Sequence, residues 1–126
     1  MNVYAERLGM TNTNFVNSSG WPDDNHYSTV YDLGILSNAI IRDFPDLYTY
    51  FKMEEFTYND ITQPNRNKLL YQVQGADGLK TGFTKESGWG IAATALRNDR
   101  RITVVINGTN SSRSRLNESS NLINWA

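Results

Sequence analysis

The sequence predicts an α+β fold in which helices pack on an antiparallel sheet. Three observations carry that expectation. Val30, Leu33, Leu36, Ile40 and Phe44 recur at helical spacing in the first half. Three β-like runs, residues 79–84, 90–96 and 102–106, follow in the second half, the last two joined by the turn-forming stretch RNDRR. Residues 115–125 then return to helical character with Leu116, Leu122, Ile123 and Trp125. The order is helices, an antiparallel meander and a covering helix.

Each element has its own local justification. Met1, Tyr4, Ala5 and Leu8 form a short helical stripe, and Gly9 stands where a helix end favours positive φ. TNTNFVNSSGWPDDNHY is rich in Asn, Ser, Asp, Gly and Pro and reads as a long ordered loop. Thr29 opens the next helix, with Asp32 three residues on as a capping-box-like partner. Pro45 ends that helix and starts a short one in PDLYTYF. EEFTYNDITQ alternates around Asn59-Asp60, a hairpin or edge pair. QPNRNKLLYQVQGAD reads mostly as connection.

Composition narrows the function classes. At 126 residues the chain is one domain in size. A net charge of −1 with scattered Lys and Arg argues against a nucleic-acid partner. No cysteine is present, which excludes disulfides, thiolate metal sites and a cysteine nucleophile. Seven Tyr and three Trp mark a globular chain rather than a disordered one. The N-terminus MNVYAERLGM is not a signal peptide, and no stretch is apolar for long enough to span a membrane. Met1 reads as an internal methionine and NLINWA stops on an apolar residue, so both ends read as cut from something longer.

One stretch carries chemistry. In DGLKTGFT, residues 77–84, the Asp-Gly turn launches a strand holding Lys80, Thr81 and Gly82. A bare Lys-Thr-Gly in a strand is most often only a strand. With Ser-x-x-Lys and Ser-Asp-Asn, however, it forms the motif set of penicillin-recognising serine enzymes. The match extends well beyond the triplet, through MNVYAERLGMTNTNF, HYSTVYDLGILSNAIIRDFP, FTYNDI, NRNKLL, GWGIAATALRNDRRITVVING and SRLNESSNLINWA. Over nearly its whole length the chain resembles the second half of the catalytic domain of D-alanyl-D-alanine carboxypeptidases, the low-molecular-weight penicillin-binding proteins.

That resemblance implies a part of the β-lactamase/DD-peptidase-like transpeptidase fold. Residues 1–126 would be the C-terminal part of the catalytic domain. The substrate would be a peptidoglycan stem peptide ending in D-Ala-D-Ala, with β-lactams as inhibitors and no metal or organic cofactor. The site would be periplasmic or on the outer face of a bacterial cytoplasmic membrane, with any membrane anchor outside this chain. Lys80 would place a positive charge at the site's edge, and the Thr81 hydroxyl would donate to the terminal carboxylate. Gly82 would let substrate lie against the strand backbone, and the Phe83 backbone N–H would be an oxyanion-hole donor. Some relatives carry another residue at the position of Phe83, a departure that bears on substrate preference more than on chemistry. Arg115, at the start of the closing helix, would bind the terminal carboxylate, with Arg113 as the rival.

The nucleophile is missing. Ser-x-x-Lys places an ammonium beside a hydroxyl across one helical turn. The residues three before Lys52, Lys68, Lys80 and Lys85 are Thr49, Asn65, Asp77 and Gly82, and none is serine. Ser119-Ser120-Asn121 is a Ser-x-Asn element in the wrong chain order. The chain alone is therefore expected to hydrolyse nothing. Two alternatives stand beside the enzyme reading: a non-catalytic domain that grips D-Ala-terminated peptides, or a β-lactamase-like relative. His26, the only histidine, reads as structural, and Asp23, Asp24 and Asn25 lack the rest of a calcium loop. Gly88-Trp89-Gly90 is no phosphate loop, and Asn67 reads as a brace for the region around the Lys-Thr-Gly strand.

Overall fold

The computed structural model describes residues 1–126. Helix α1 (Asn2–Leu8) ends at Gly9, whose φ of 82° permits the closing bonds of Gly9 N–H to Glu6 O and Met10 N–H to Ala5 O. Of the expected stripe only Ala5 is buried, joined by Met10 beyond the cap, while Met1 and Tyr4 are exposed. A helix of under two turns has one small contact face, and here it is taken up by α2.

The loop that follows is ordered by amide side chains acting in place of a backbone ladder. Asn2 exchanges two bonds with the backbone of Phe15, at 3.0 and 2.8 Å. Asn17 Oδ1 accepts from the N–H groups of Gly20 and Trp21. His26 Nδ1 accepts the Val16 N–H at 3.2 Å, and its ring meets Phe15 edge-on, so this histidine is part of the loop's frame.

Helix α2 (Val30–Asp43) is capped by Thr29, whose hydroxyl accepts the Asp32 N–H at 3.0 Å. The reciprocal arm of the expected capping box is not made. The Asp32 carboxylate turns inward instead, to the Asn12 N–H at 2.9 Å and the Thr13 hydroxyl at 2.7 Å. The expected apolar stripe is also corrected. Val30 and Phe44 are half exposed, and the buried positions are Asp32, Ser37 and Ala39. Small side chains let α2 approach the sheet, where Asn38 accepts a bond from Thr103 at 2.8 Å. Pro45 opens α3 (Pro45–Tyr48), which runs into a 3₁₀ turn (Thr49–Lys52).

Strands β1 (Glu55–Tyr58) and β2 (Ile61–Pro64) form a separate hairpin. Its two-residue turn has positive φ at Asn59 and Asp60, as a type I′ turn requires. The segment expected to be connection contains α4 (Leu69–Gln72), whose Leu69 is fully buried. A four-residue helix leaves too short a pattern for periodicity to reveal.

Strands β3 (Ala76–Thr84), β4 (Gly88–Arg97) and β5 (Arg100–Thr109) form an antiparallel sheet in the order β3-β4-β5. All three are longer than their apolar runs, because the ladder continues through residues that show no hydrophobic signal. Asn98 and Asp99, both at positive φ, make the expected hairpin turn. Helix α5 (Ser112–Trp125) begins three residues before the expected start, because Ser111 caps it by accepting the Ser114 N–H at 3.0 Å. Leu69, Val73, Ile91, Ala93, Ala95, Ile102 and Ile123 form the core between the sheet and helices α4 and α5. Ala93 and Ala95, both fully buried, let α5 lie close over the sheet. Strands β3 and β5 have no strand partner on their outer sides.

Candidate functional site

Strand β3 carries the Lys-Thr-Gly triplet and is held differently at its two ends. Near its start, Asp77 accepts from Arg101 at 2.6 Å, from Tyr48 at 2.8 Å and from Thr94 at 3.1 Å. The Tyr48 and Thr94 hydroxyls are themselves 2.5 Å apart, and the Arg101 guanidinium lies over the Tyr48 ring. Burial, with the neighbouring Asp77 carboxylate adding to it, pushes the Tyr48 hydroxyl up to about 12. Asn67, almost fully buried, donates to Gly78 O at 2.8 Å, the brace expected from the sequence. This cluster joins α3, β3, β4 and β5.

Beyond it the strand is open. Strand alternation sends Lys80 and Thr81 to opposite faces. Lys80 is exposed, and its Nζ donates back to the Thr81 carbonyl at 2.5 Å. Thr81 is nearly buried on the α5 side, where its side chain lines a recess of about 10 Å³, room for one water-sized group. Lys68, Ser112 and Arg115 share that lining, which includes two cationic residues and no acidic one. A Cβ at Gly82 would meet nothing within 4 Å, so folding alone does not demand glycine there. Phe83 is half exposed and pairs with Trp89 across the ladder, ring centroids 4.4 Å apart.

Arg115 is 8% exposed, whereas Arg113 is exposed on the same helix turn. Burial pulls the Arg115 guanidinium below its ordinary pKa. The ion pairs of the chain are Arg42–Asp43 and Arg101–Asp77, and neither involves Arg115. Its Nη1 donates at 3.4 Å to the carbonyls of Gly82 and Gly90, and the guanidinium sits 5.3 Å from the Trp89 ring centroid. A buried cation with spare donors, beside an unused hydroxyl and an open glycine, is suited to a carboxylate. The structure therefore gathers Thr81, Gly82, Phe83 and Arg115 at one end of β3, with Lys80 on the opposite face of the same strand. No group of three or more His, Asp or Glu side chains comes together. Sequence reasoning missed Trp89, weighed only as part of a glycine pair. Its facing position opposite Phe83 in the hairpin was the available signal.

The family model described as D-alanyl-D-alanine carboxypeptidase matches residues 1–110. The chain belongs to the D-alanyl-D-alanine carboxypeptidase family. It is 42% identical over 126 residues to D-alanyl-D-alanine carboxypeptidase DacC of Escherichia coli (strain K12), covering 99% of this chain and 32% of that protein. DacD of the same organism is 39% identical with the same coverage. Among solved structures, penicillin binding protein 5 from Haemophilus influenzae superposes with a TM-score of 0.94 at 38% identity, over 98% of this chain and 37% of that one. Penicillin-binding protein D2 from Listeria monocytogenes, in its cefotaxime-bound form, gives a TM-score of 0.90 at 32% identity, over 98% and 51%. The fold is thus the α+β fold of these carboxypeptidases. The chain spans about a third of the length of the curated relatives it matches. Arg115 lies beyond the residues the family model matches, inside the span shared with the relatives.

Proposed function

We propose that this chain supplies the substrate-gripping part of a serine-type D-Ala-D-Ala carboxypeptidase that trims peptidoglycan stem peptides and is acylated by penicillins. The observation that carries the reading is the buried Arg115 guanidinium, without a carboxylate partner, beside the Thr81 hydroxyl and Gly82. In the complete enzyme a serine hydroxyl from outside these residues attacks the peptide bond between the two D-alanines. The C–N bond breaks, D-alanine leaves with a proton, and water then hydrolyses the acyl-enzyme.

Within that reaction Thr81 and Arg115 hold the terminal carboxylate, which fixes the scissile bond along β3. The Phe83 backbone N–H donates to the developing oxyanion. Lys80 supplies positive charge on the opposite face of the strand, once its ammonium leaves the Thr81 carbonyl. No metal or organic cofactor enters the reaction. The compartment is the periplasm or the outer face of a bacterial cytoplasmic membrane.

Intact-mass measurement after incubation with benzylpenicillin tests the reading. The 126-residue chain is expected to gain no adduct, and adding the Ser-x-x-Lys-bearing half of a relative is expected to restore acylation. A stable adduct on the chain alone would overturn the assignment of the nucleophile. An alternative, a non-catalytic domain gripping D-Ala-terminated peptides, keeps the same Arg115 site. Coding sequence upstream of Met1 separates the two: a Ser-x-x-Lys there supports the enzyme, and its absence supports the binder.

A further inference from the structure

Arg115 poses a physical problem. A free arginine side chain samples many rotamers, and an anion site is effective only when its donors are already in place. The usual way to fix a guanidinium is a bidentate carboxylate, as Asp77 holds Arg101. A carboxylate at Arg115 would consume the donors that a ligand needs. The two carbonyl contacts, both 3.4 Å long, lie at the weak end of hydrogen bonding and both use Nη1.

An aromatic face solves the problem differently. It attracts a cation over its surface and leaves the in-plane N–H donors free. Trp89 offers such a face 5.3 Å from the Arg115 Cζ. Trp89 is itself held on three sides. Phe83 packs on it from β3. Its carbonyl accepts from the Thr109 hydroxyl at 3.0 Å. The ladder between β4 and β5 shifts register between Trp89 and Ile91, with Trp89 facing Thr109 and Ile91 facing Ile106. Such an irregularity re-aims the side chain at its centre. Close backbone contact makes that bend possible, since a Cβ at Gly90 would stand 2.6 Å from Asn107 Oδ1 and 3.2 Å from Ile106 O.

We infer that Trp89 is a positioning residue, which fixes the Arg115 guanidinium against the end of β3 with its Nε and Nη2 donors unspent. The inference rests on the carboxylate reading of Arg115 for its functional meaning, but the stack can be measured without any ligand. Cation–π attraction at a desolvated site is about 1–2 kcal/mol, so its loss corresponds to roughly a 5- to 30-fold weaker grip on an anion.

The experiment is side-chain NMR on the ¹⁵N-labelled chain, with N-acetyl-D-alanine as the probe. In the wild type, the Arg115 Nε–Hε signal is expected to be shifted upfield by the Trp89 ring and to show cross-relaxation with its ring protons. Trp89→Leu should return the signal to the position of exposed arginines and weaken N-acetyl-D-alanine binding by roughly 5- to 30-fold. Trp89→Phe and Trp89→Tyr should rescue both, which a simple loss of packed volume would not require. Thermal melts separate misfolding from repositioning. If Trp89→Leu does not fold, the wild-type cross-relaxation and the Phe variant still decide. Absence of ring contact, or unchanged affinity in a folded Trp89→Leu chain, overturns the inference. A ring-shifted, Trp89-dependent Arg115 that ignores N-acetyl-D-alanine upholds the stack and overturns the carboxylate reading instead.

Discussion

Two arginines flank strand β3, and their surroundings differ in kind. Arg101 meets a carboxylate at 2.6 Å and lies over Tyr48, inside a cluster where the Asp77 carboxylate and the Tyr48 and Thr94 hydroxyls are all hydrogen-bonded. Arg115 is more buried and has no carboxylate at all. Two glycines on the same strand show the same contrast. A Cβ at Gly78 would stand 2.6 Å from the Tyr48 hydroxyl and 2.7 Å from that of Thr94, whereas one at Gly82 would meet nothing. One end of the strand is satisfied by the chain's own atoms. The other is desolvated, charged and open, an arrangement that is costly unless a ligand completes it. The first is a clamp and the second is a candidate site.

The largest expected effect falls on the clamp. Asp77→Ala leaves the Arg101 guanidinium and two hydroxyls without their acceptor, and should cost about 3 kcal/mol in urea unfolding. Arg115→Met, which removes a desolvated and unpaired charge, should change stability by less than about 1 kcal/mol in either direction. Equal losses in the two variants would erase the distinction between clamp and site.

A second prediction concerns pH. An unfolded tyrosine loses its proton near 10, and the Tyr48 hydroxyl in the fold holds its proton up to about 12. Between those values the unfolded chain binds fewer protons than the folded one, so stability falls as pH rises through the window. The contribution is complete below pH 10 and amounts to roughly 2–3 kcal/mol across the window. Unfolding midpoints from pH 9 to 12 should show that decline, and Tyr48→Phe should flatten it. A decline of the same size in the phenylalanine variant would place its origin elsewhere.

The smallest effect sharpens the comparison of glycines. Gly78→Ala forces a methyl into the clamp and should cost about 1–3 kcal/mol. Gly82→Ala should be neutral to within about 0.5 kcal/mol, since a methyl there meets nothing. Thermal melts of the pair decide this. A destabilised Gly82→Ala would mean that the fold itself requires this glycine.

The architecture was legible wherever structure is made locally. Asn59-Asp60 and Asn98-Asp99 encode their turns by tolerating positive φ. Thr29 and Pro45 punctuate the helices, and apolar runs mark the sheet. The Lys-Thr-Gly strand was visible because its chemistry lies within eight contiguous residues. The buried face of α2 was misread, because what lies inside depends on what packs against it. Ser37 and Ala39 face inward for their small size, while Val30 and Phe44 find no cover within this chain. Helix α4 escaped notice because one buried leucine in four residues has no period.

By itself, then, the sequence determined the order of elements, their turns and caps, and the strand that carries the motif. These depend on backbone preference and on neighbours close along the chain. Tertiary structure alone decided which arginine is buried, with Arg115 turned in beneath Trp89 and Arg113 left in water. It also decided that Asp77 would meet partners 24 and 29 residues away. Those outcomes depend on how strands β3, β4 and β5 come into register and where α5 lands on them. Burial and electrostatics act through space, between residues that the sequence holds far apart.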